Sequence, residues 1–107
     1  MMDVTMDEAI VSKSTLKALI EVTGQPELDV AILVMLRDAI EHRLEKIQAS
    51  LRVYEERYGL TYGEFEVRGR SGKLPDRFSQ AVEEDYFEWD SLVTRQRKLK
   101  EMAHVQI

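Results

Sequence analysis

The chain contains no cysteine. Disulfide stapling, thiol chemistry and any zinc site built on Cys ligands are therefore excluded from the outset. It is short of positive charge, with 15 Lys+Arg against 20 Asp+Glu and a formal charge of −5. It also lacks long apolar runs: the longest covers residues 30–36, whereas a membrane-spanning helix needs roughly 20 such residues. The start, Met1-Met2-Asp3-Val4-Thr5-Met6-Asp7-Glu8, has neither the positive first segment nor the apolar core of a signal peptide. A soluble, cytoplasmic protein is expected. What is present is 44% apolar and 33% charged residues in 107, too hydrophobic for a disordered chain and unusually charged for a compact globule. Long amphipathic helices reconcile the two, and the length fits one domain.

Most of the Gly and Pro residues, five and two in number, fall at expected breaks between helices. Residues 12–24 carry Leu16, Leu19, Ile20 and Val22, compatible with a short helix that Ser12 or Ser14 caps and Gly24 ends. Gln25-Pro26 separates it from a second helix, with Glu27 and Asp29 in a first turn that favours negative charge. In that helix Leu33, Ile40, Ile47 and Tyr54 recur every seven residues, and Leu44, Leu51 and Tyr58 recur at the same interval four residues on. Arg37 breaks the second series, and Leu36 beside it widens the apolar stripe. The seam spans about four heptads. Helical from 26 to 58, the segment would be ~50 Å long, against a radius of gyration of ~13 Å for a compact domain of 100 residues. A lone globule cannot bury such a stripe, and residues 30–36 are apolar on every side of the helix. A homodimer or higher oligomer is expected, with Leu33, Leu36, Ile40, Leu44, Ile47 and Leu51 at the interface. The competing reading has the first and last helices of the same chain enclosing the stripe.

Gly59 ends the long helix, and Thr61-Tyr62-Gly63-Glu64 has the Thr-x-x-Glu spacing of a capping box opening a short helix over 61–67. Residues 68–77, with Gly69, Gly72 and Pro75, read as a loop. A C-terminal helix over 78–103 follows from the spacing of Val82, Tyr86, Trp89, Leu92, Val93, Leu99 and Met102. Its first half is acidic (Glu83, Glu84, Asp85, Glu88, Asp90) and its second basic (Arg95, Arg97, Lys98, Lys100), the order that complements a helix dipole. The expected fold is thus all-α: a short N-terminal helix, a long central helix and a C-terminal helix packing back on it, with a short N-terminal strand left open.

No reaction is written in these spacings. Gly69-Arg70-Ser71-Gly72-Lys73 resembles the end of a phosphate-binding loop, but Val67 stands where its first Gly is needed and Leu74 where its hydroxyl is needed. His42 has Ala39, not Glu, three residues before it, so a helical di-metal motif fails; His104 lies near a fraying end. No metal, cofactor or catalytic residue is expected. Tyr86, Phe87, Trp89 and Asp90 make a compact acidic-aromatic patch of the composition found at binding hot spots; the plainer reading packs Tyr86 and Trp89 on the long helix. Arg68, Arg70 and Lys73 belong to the one locally positive stretch, and a domain so acidic overall does not favour nucleic acid.

Leu16-Lys17-Ala18-Leu19-Ile20-Glu21-Val22-Thr23-Gly24-Gln25-Pro26, continuing through Ala31, Leu36-Arg37-Asp38-Ala39-Ile40 and His42-Arg43-Leu44, resembles the two-helix core of small prokaryotic antitoxins of the VapB kind. About a third of the chain is covered. The resemblance implies a ribbon-helix-helix dimer whose C-terminal tail covers a toxin. Asp3, Asp7 and Glu8 lie where a DNA-reading strand is basic, so DNA reading is not the favoured role. The function expected is non-enzymatic: an antitoxin-like protein that dimerises and neutralises a cognate protein through its C-terminal half. Tyr86, Phe87, Trp89 and Asp90 are then the anchor, with Arg68, Arg70 and Lys73 on a segment that orders on binding. The alternatives are a DNA-binding regulator of ribbon-helix-helix type and a helical coiled-coil scaffold.

Overall fold

A computed structural model describes residues 11–72 and 79–103. Among them every regular element is a helix: α1 (Lys13–Thr23), α2 (Leu28–Tyr58), α3 (Tyr62–Arg70) and α4 (Gln80–Ala103). The all-α expectation holds for these residues. The N-terminal strand left open above, and with it Asp3, Asp7 and Glu8, lies outside the described residues, as do Lys73 and His104.

Local chemistry accounts for the helix ends. Ser12 caps α1, its hydroxyl oxygen accepting from the Thr15 N–H at 3.2 Å. Gly24, at φ 70°, closes the helix in the left-handed region by donating its N–H to the Ile20 carbonyl at 2.8 Å. Thr23 helps, donating its hydroxyl back to the Leu19 carbonyl and accepting from the Gln25 N–H. The first residue of α2 is Leu28, two residues after Pro26, and the Ala31 N–H donates to the Glu27 carbonyl at 2.9 Å. Its 31 residues correspond to ~46 Å. The capping box of α3 is complete: the Glu64 N–H donates to Thr61 Oγ1 at 3.2 Å, and the Thr61 N–H donates to Glu64 Oε1 at 2.9 Å. This helix runs to Arg70 rather than stopping at Val67, so Arg68 and Arg70 are helical. Cations in a last turn interact favourably with the exposed carbonyls, which offsets the low propensity of Gly69. Ser79 caps α4, accepting from the Val82 N–H on its side chain and the Glu83 N–H on its carbonyl.

The described residues fall into two compact units, 11–39 and 40–103. In the first, Ala31 is fully buried, while Val30, Val34 and Met35 are half-buried and Ile32, Leu33 and Leu36 are exposed. In the second, Ile40, Ile47, Leu51 and Tyr54 of α2, Phe65 of α3, and Trp89 and Leu99 of α4 form the core. No described helix is long and apolar enough to cross a membrane.

Candidate interaction surface

The second unit is organised by six aromatic rings from three helices. Trp89 has no exposed surface and Phe65 only 2%. Tyr54 and Tyr58, one helical turn apart on α2, stack on the indole at 5.6 and 5.8 Å. Phe65 and Tyr62 of α3 meet the same ring at 4.9 and 5.6 Å, the latter edge-on. Tyr86 completes the group, stacked at 6.2 Å on both Tyr62 and Phe65. Offset and edge geometries at these separations each add about 0.5–1.5 kcal/mol beyond area burial. The indole Nε1 is buried and meets no acceptor among the described residues, a cost of about 1–3 kcal/mol that the packing must outweigh.

The polar tips of these rings fix the position of α4. Asp85 Oδ2 accepts from Tyr58 Oη at 2.6 Å and from Arg57 Nη1 at 2.7 Å. Asp90 Oδ1 accepts from Tyr62 Oη at 2.6 Å. Farther along, Gln96 donates to Gln48 at 3.1 Å. The Arg57 guanidinium also lies over the Tyr54 ring, 5.2 Å from its centroid. Burial pushes the Tyr54 and Tyr58 hydroxyls up to about 12, reinforced by the Glu88 and Asp85 carboxylates respectively. Burial and then Asp90 raise Tyr62 as well. These three hydroxyls are donors at neutral pH. Burial by itself would raise the Asp85 carboxyl, but the hydrogen bonds from Tyr58 and Arg57 outweigh it and hold the group below its ordinary range.

The expected anchor residues therefore separate. Trp89 is enclosed by its own chain, and Tyr86 is half-buried against α3. Asp90 is exposed yet holds Tyr62. Phe87 alone of the aromatic members projects outward, 71% exposed. Three and four residues to either side, on the same face of α4, stand Glu83, Glu84, Asp90 and Ser91, all exposed. Arg68 and Arg70 are exposed at the end of α3. The expected dimer seam also divides: Leu33 and Leu36 are exposed and Leu44 half-buried, whereas Ile40, Ile47 and Leu51 are already buried within one chain.

Tyr54, Tyr58, Tyr62 and Phe65 were not among the expected site residues. The first two carry a signal in sequence, their heptad positions, but Tyr62 and Phe65 meet residues more than twenty positions away. Among the described residues no group of three or more His, Asp or Glu is placed to hold a metal ion. Compared with protein-family models, with curated proteins and with solved structures, the chain has no match.

Proposed function

We propose that the chain is a non-enzymatic, antitoxin-like cytoplasmic protein that self-associates and neutralises a cognate protein by binding it through its C-terminal half. The observation that carries this reading is Phe87: a large apolar ring left 71% exposed on a helix whose opposite side is fixed by the Trp89 cluster. An exposed aromatic on a rigid support, rimmed by Glu83, Glu84 and Asp90, is the composition of a binding hot spot with a charged surround. Arg68 and Arg70 supply a second, positive contact from α3, and Trp89 supports the surface from beneath. The resemblance of residues 16–44 to VapB-type antitoxins supports the toxin-covering role.

The test is affinity capture of the tagged protein from its own cells beside its Phe87→Ala variant, with mass spectrometry of stoichiometric co-eluting chains. One small protein retained through moderate salt by the parent and lost from the variant, with helix content unchanged, supports the reading. Toxicity of that protein when expressed alone, relieved by co-expression, completes it. Recovery of the homo-oligomer alone would instead favour a coiled-coil scaffold, a reading that rests on the exposed Ile32, Leu33 and Leu36.

A further inference from the structure

Charge is divided unevenly within the second unit. Residues 53–72 and 79–90 hold nine Asp+Glu against three Lys+Arg, whereas residues 40–52 and 91–103 hold three against seven. Helix α4 runs antiparallel to α2, since Asp85 meets Arg57, Trp89 meets Tyr54 and Gln96 meets Gln48. The two basic stretches therefore lie side by side, away from the aromatic cluster. Arg95, Arg97, Lys98 and Lys100 fall within six residues of α4, and this register sets Arg43 and Lys46 of α2 at their level; all are exposed. Among the described residues none of these six cations takes part in an ion pair. Arg95 and Lys98, like Arg97 and Lys100, are like-charged neighbours one helical turn apart, which repel each other. The acids of this part, Glu41, Glu45 and Glu101, are exposed as well and leave it a net charge of +4.

From this we infer that the basic part of α4, flanked by Arg43 and Lys46, docks on the phosphate backbone of duplex nucleic acid without reading its sequence. The overall charge of −5 is no obstacle. At 1.5 Å per residue the centres of the acidic and basic halves of α4 stand ~17 Å apart, about twice the Debye length of ~8 Å at physiological ionic strength. The basic part thus presents its own sign to a ligand. Composition favours phosphates over a protein. From Ser91 to Glu101 no large apolar side chain of α4 is exposed, and Met102 stands alone just beyond. Protein interfaces draw their affinity from buried apolar or aromatic anchors, whereas phosphates are held by cations and by hydroxyls such as those of Ser91 and Thr94, both exposed. Single strands are held by bases stacked on aromatic rings, and every described ring of this unit lies in the acidic part. The inference goes beyond the proposed function and uses neither Phe87 nor Arg68 and Arg70.

The test is fluorescence anisotropy of a labelled DNA duplex of mixed sequence, titrated with the full chain over a range of sodium chloride concentrations. With the four cations of α4 on phosphates, the logarithm of the association constant should fall against that of salt with a slope of about −3.6. Arg95→Gln combined with Lys98→Gln is expected to weaken binding at low salt more than about tenfold and to reduce the slope by about 2, with helix content retained. Unlabelled duplex of another sequence should compete equally, and poly-glutamate at the same charge concentration far less. Three results overturn the proposal: no binding at low salt, binding indifferent to salt or to the double variant, and displacement by poly-glutamate as effective as by duplex, which would make the ligand an acidic protein. Phe87→Ala should leave every readout unchanged, so failure here and failure of the proposed function are told apart.

Discussion

Replacing Trp89 with Ala removes a fully buried side chain from the centre of four other rings, Tyr54, Tyr58, Tyr62 and Phe65, at centroid separations of 4.9 to 5.8 Å. Truncating a buried Trp costs about 3–5 kcal/mol, the spread reflecting how far the site can collapse. Collapse is restricted here, since Tyr58 and Tyr62 are held by hydrogen bonds to Asp85 and Asp90. The upper part of the range is therefore expected, less about 1–3 kcal/mol recovered from the unpaired indole N–H, giving a net loss of about 3 kcal/mol. Against a total stability of about 5–15 kcal/mol, this takes a large share. Urea unfolding followed by far-ultraviolet circular dichroism reads it, fluorescence being unsuitable because Trp89 is the single Trp. Trp89→Phe separates the contributions: it keeps a ring and deletes the orphan donor, so it should cost less than half as much. Phe87→Ala, at a position 71% exposed, should shift stability by no more than about 0.5 kcal/mol. A Trp89→Ala loss below about 1 kcal/mol, or one matched by Phe87→Ala, would refute the placement of Trp89 at the centre of the core. On the proposed function, Trp89→Ala weakens partner binding together with the stability of the fold, whereas Phe87→Ala removes binding alone.

The tyrosines predict a loss of stability in alkali. Folded Tyr54 and Tyr58 keep their protons to about 12 while the unfolded chain releases them near 10, so the unfolded state binds fewer protons across that window and stability falls as pH rises through it. An absorbance titration of tyrosinate should show Tyr54, Tyr58 and Tyr62 ionising late in the folded protein and normally in urea; ordinary titration of all four would contradict the cluster. Asp85 works in the opposite direction. Its folded-state pKa lies below the ordinary range, so its contribution is present above the unfolded value and lost as pH falls through the folded one. Asp85→Asn should cost roughly 1–2 kcal/mol at neutral pH and flatten the acid limb of a stability profile. Gly24→Ala meets no atom within 4 Å but must adopt φ 70°. It should cost about 1 kcal/mol, and Gly24→Asn less, as thermal denaturation would show.

The helices and most of their ends follow from short-range signals. Ser12, Gly24, Thr61 and Glu64 each satisfy backbone groups no more than four residues away, so a few side chains suffice to set those boundaries. The signal weakens where two local preferences compete. At the end of α3, Gly69 argues for stopping, while Arg68 and Arg70 complement a last turn and the helix continues to Arg70. The heptads of α2 likewise marked which positions are apolar, but not what covers each of them. Ile47, Leu51 and Tyr54 are covered by their own chain, whereas Leu33, equivalent in the repeat to Ile47 and Tyr54, and Leu36 beside the repeat are left open.

The fate of Trp89 shows the same division. Its spacing places it on an apolar helix face, and its type suits either a core or an interface. Tyr54 and Tyr58, 35 and 31 positions earlier, and Phe65, 24 positions earlier, place it in the core. Periodicity turned the apolar side chains to one side of each helix, because the backbone repeat is a local property. Burial is set by segments distant along the chain that arrive over that side, and only the tertiary structure distinguishes Trp89, enclosed by three helices, from Phe87, two residues away and facing outward.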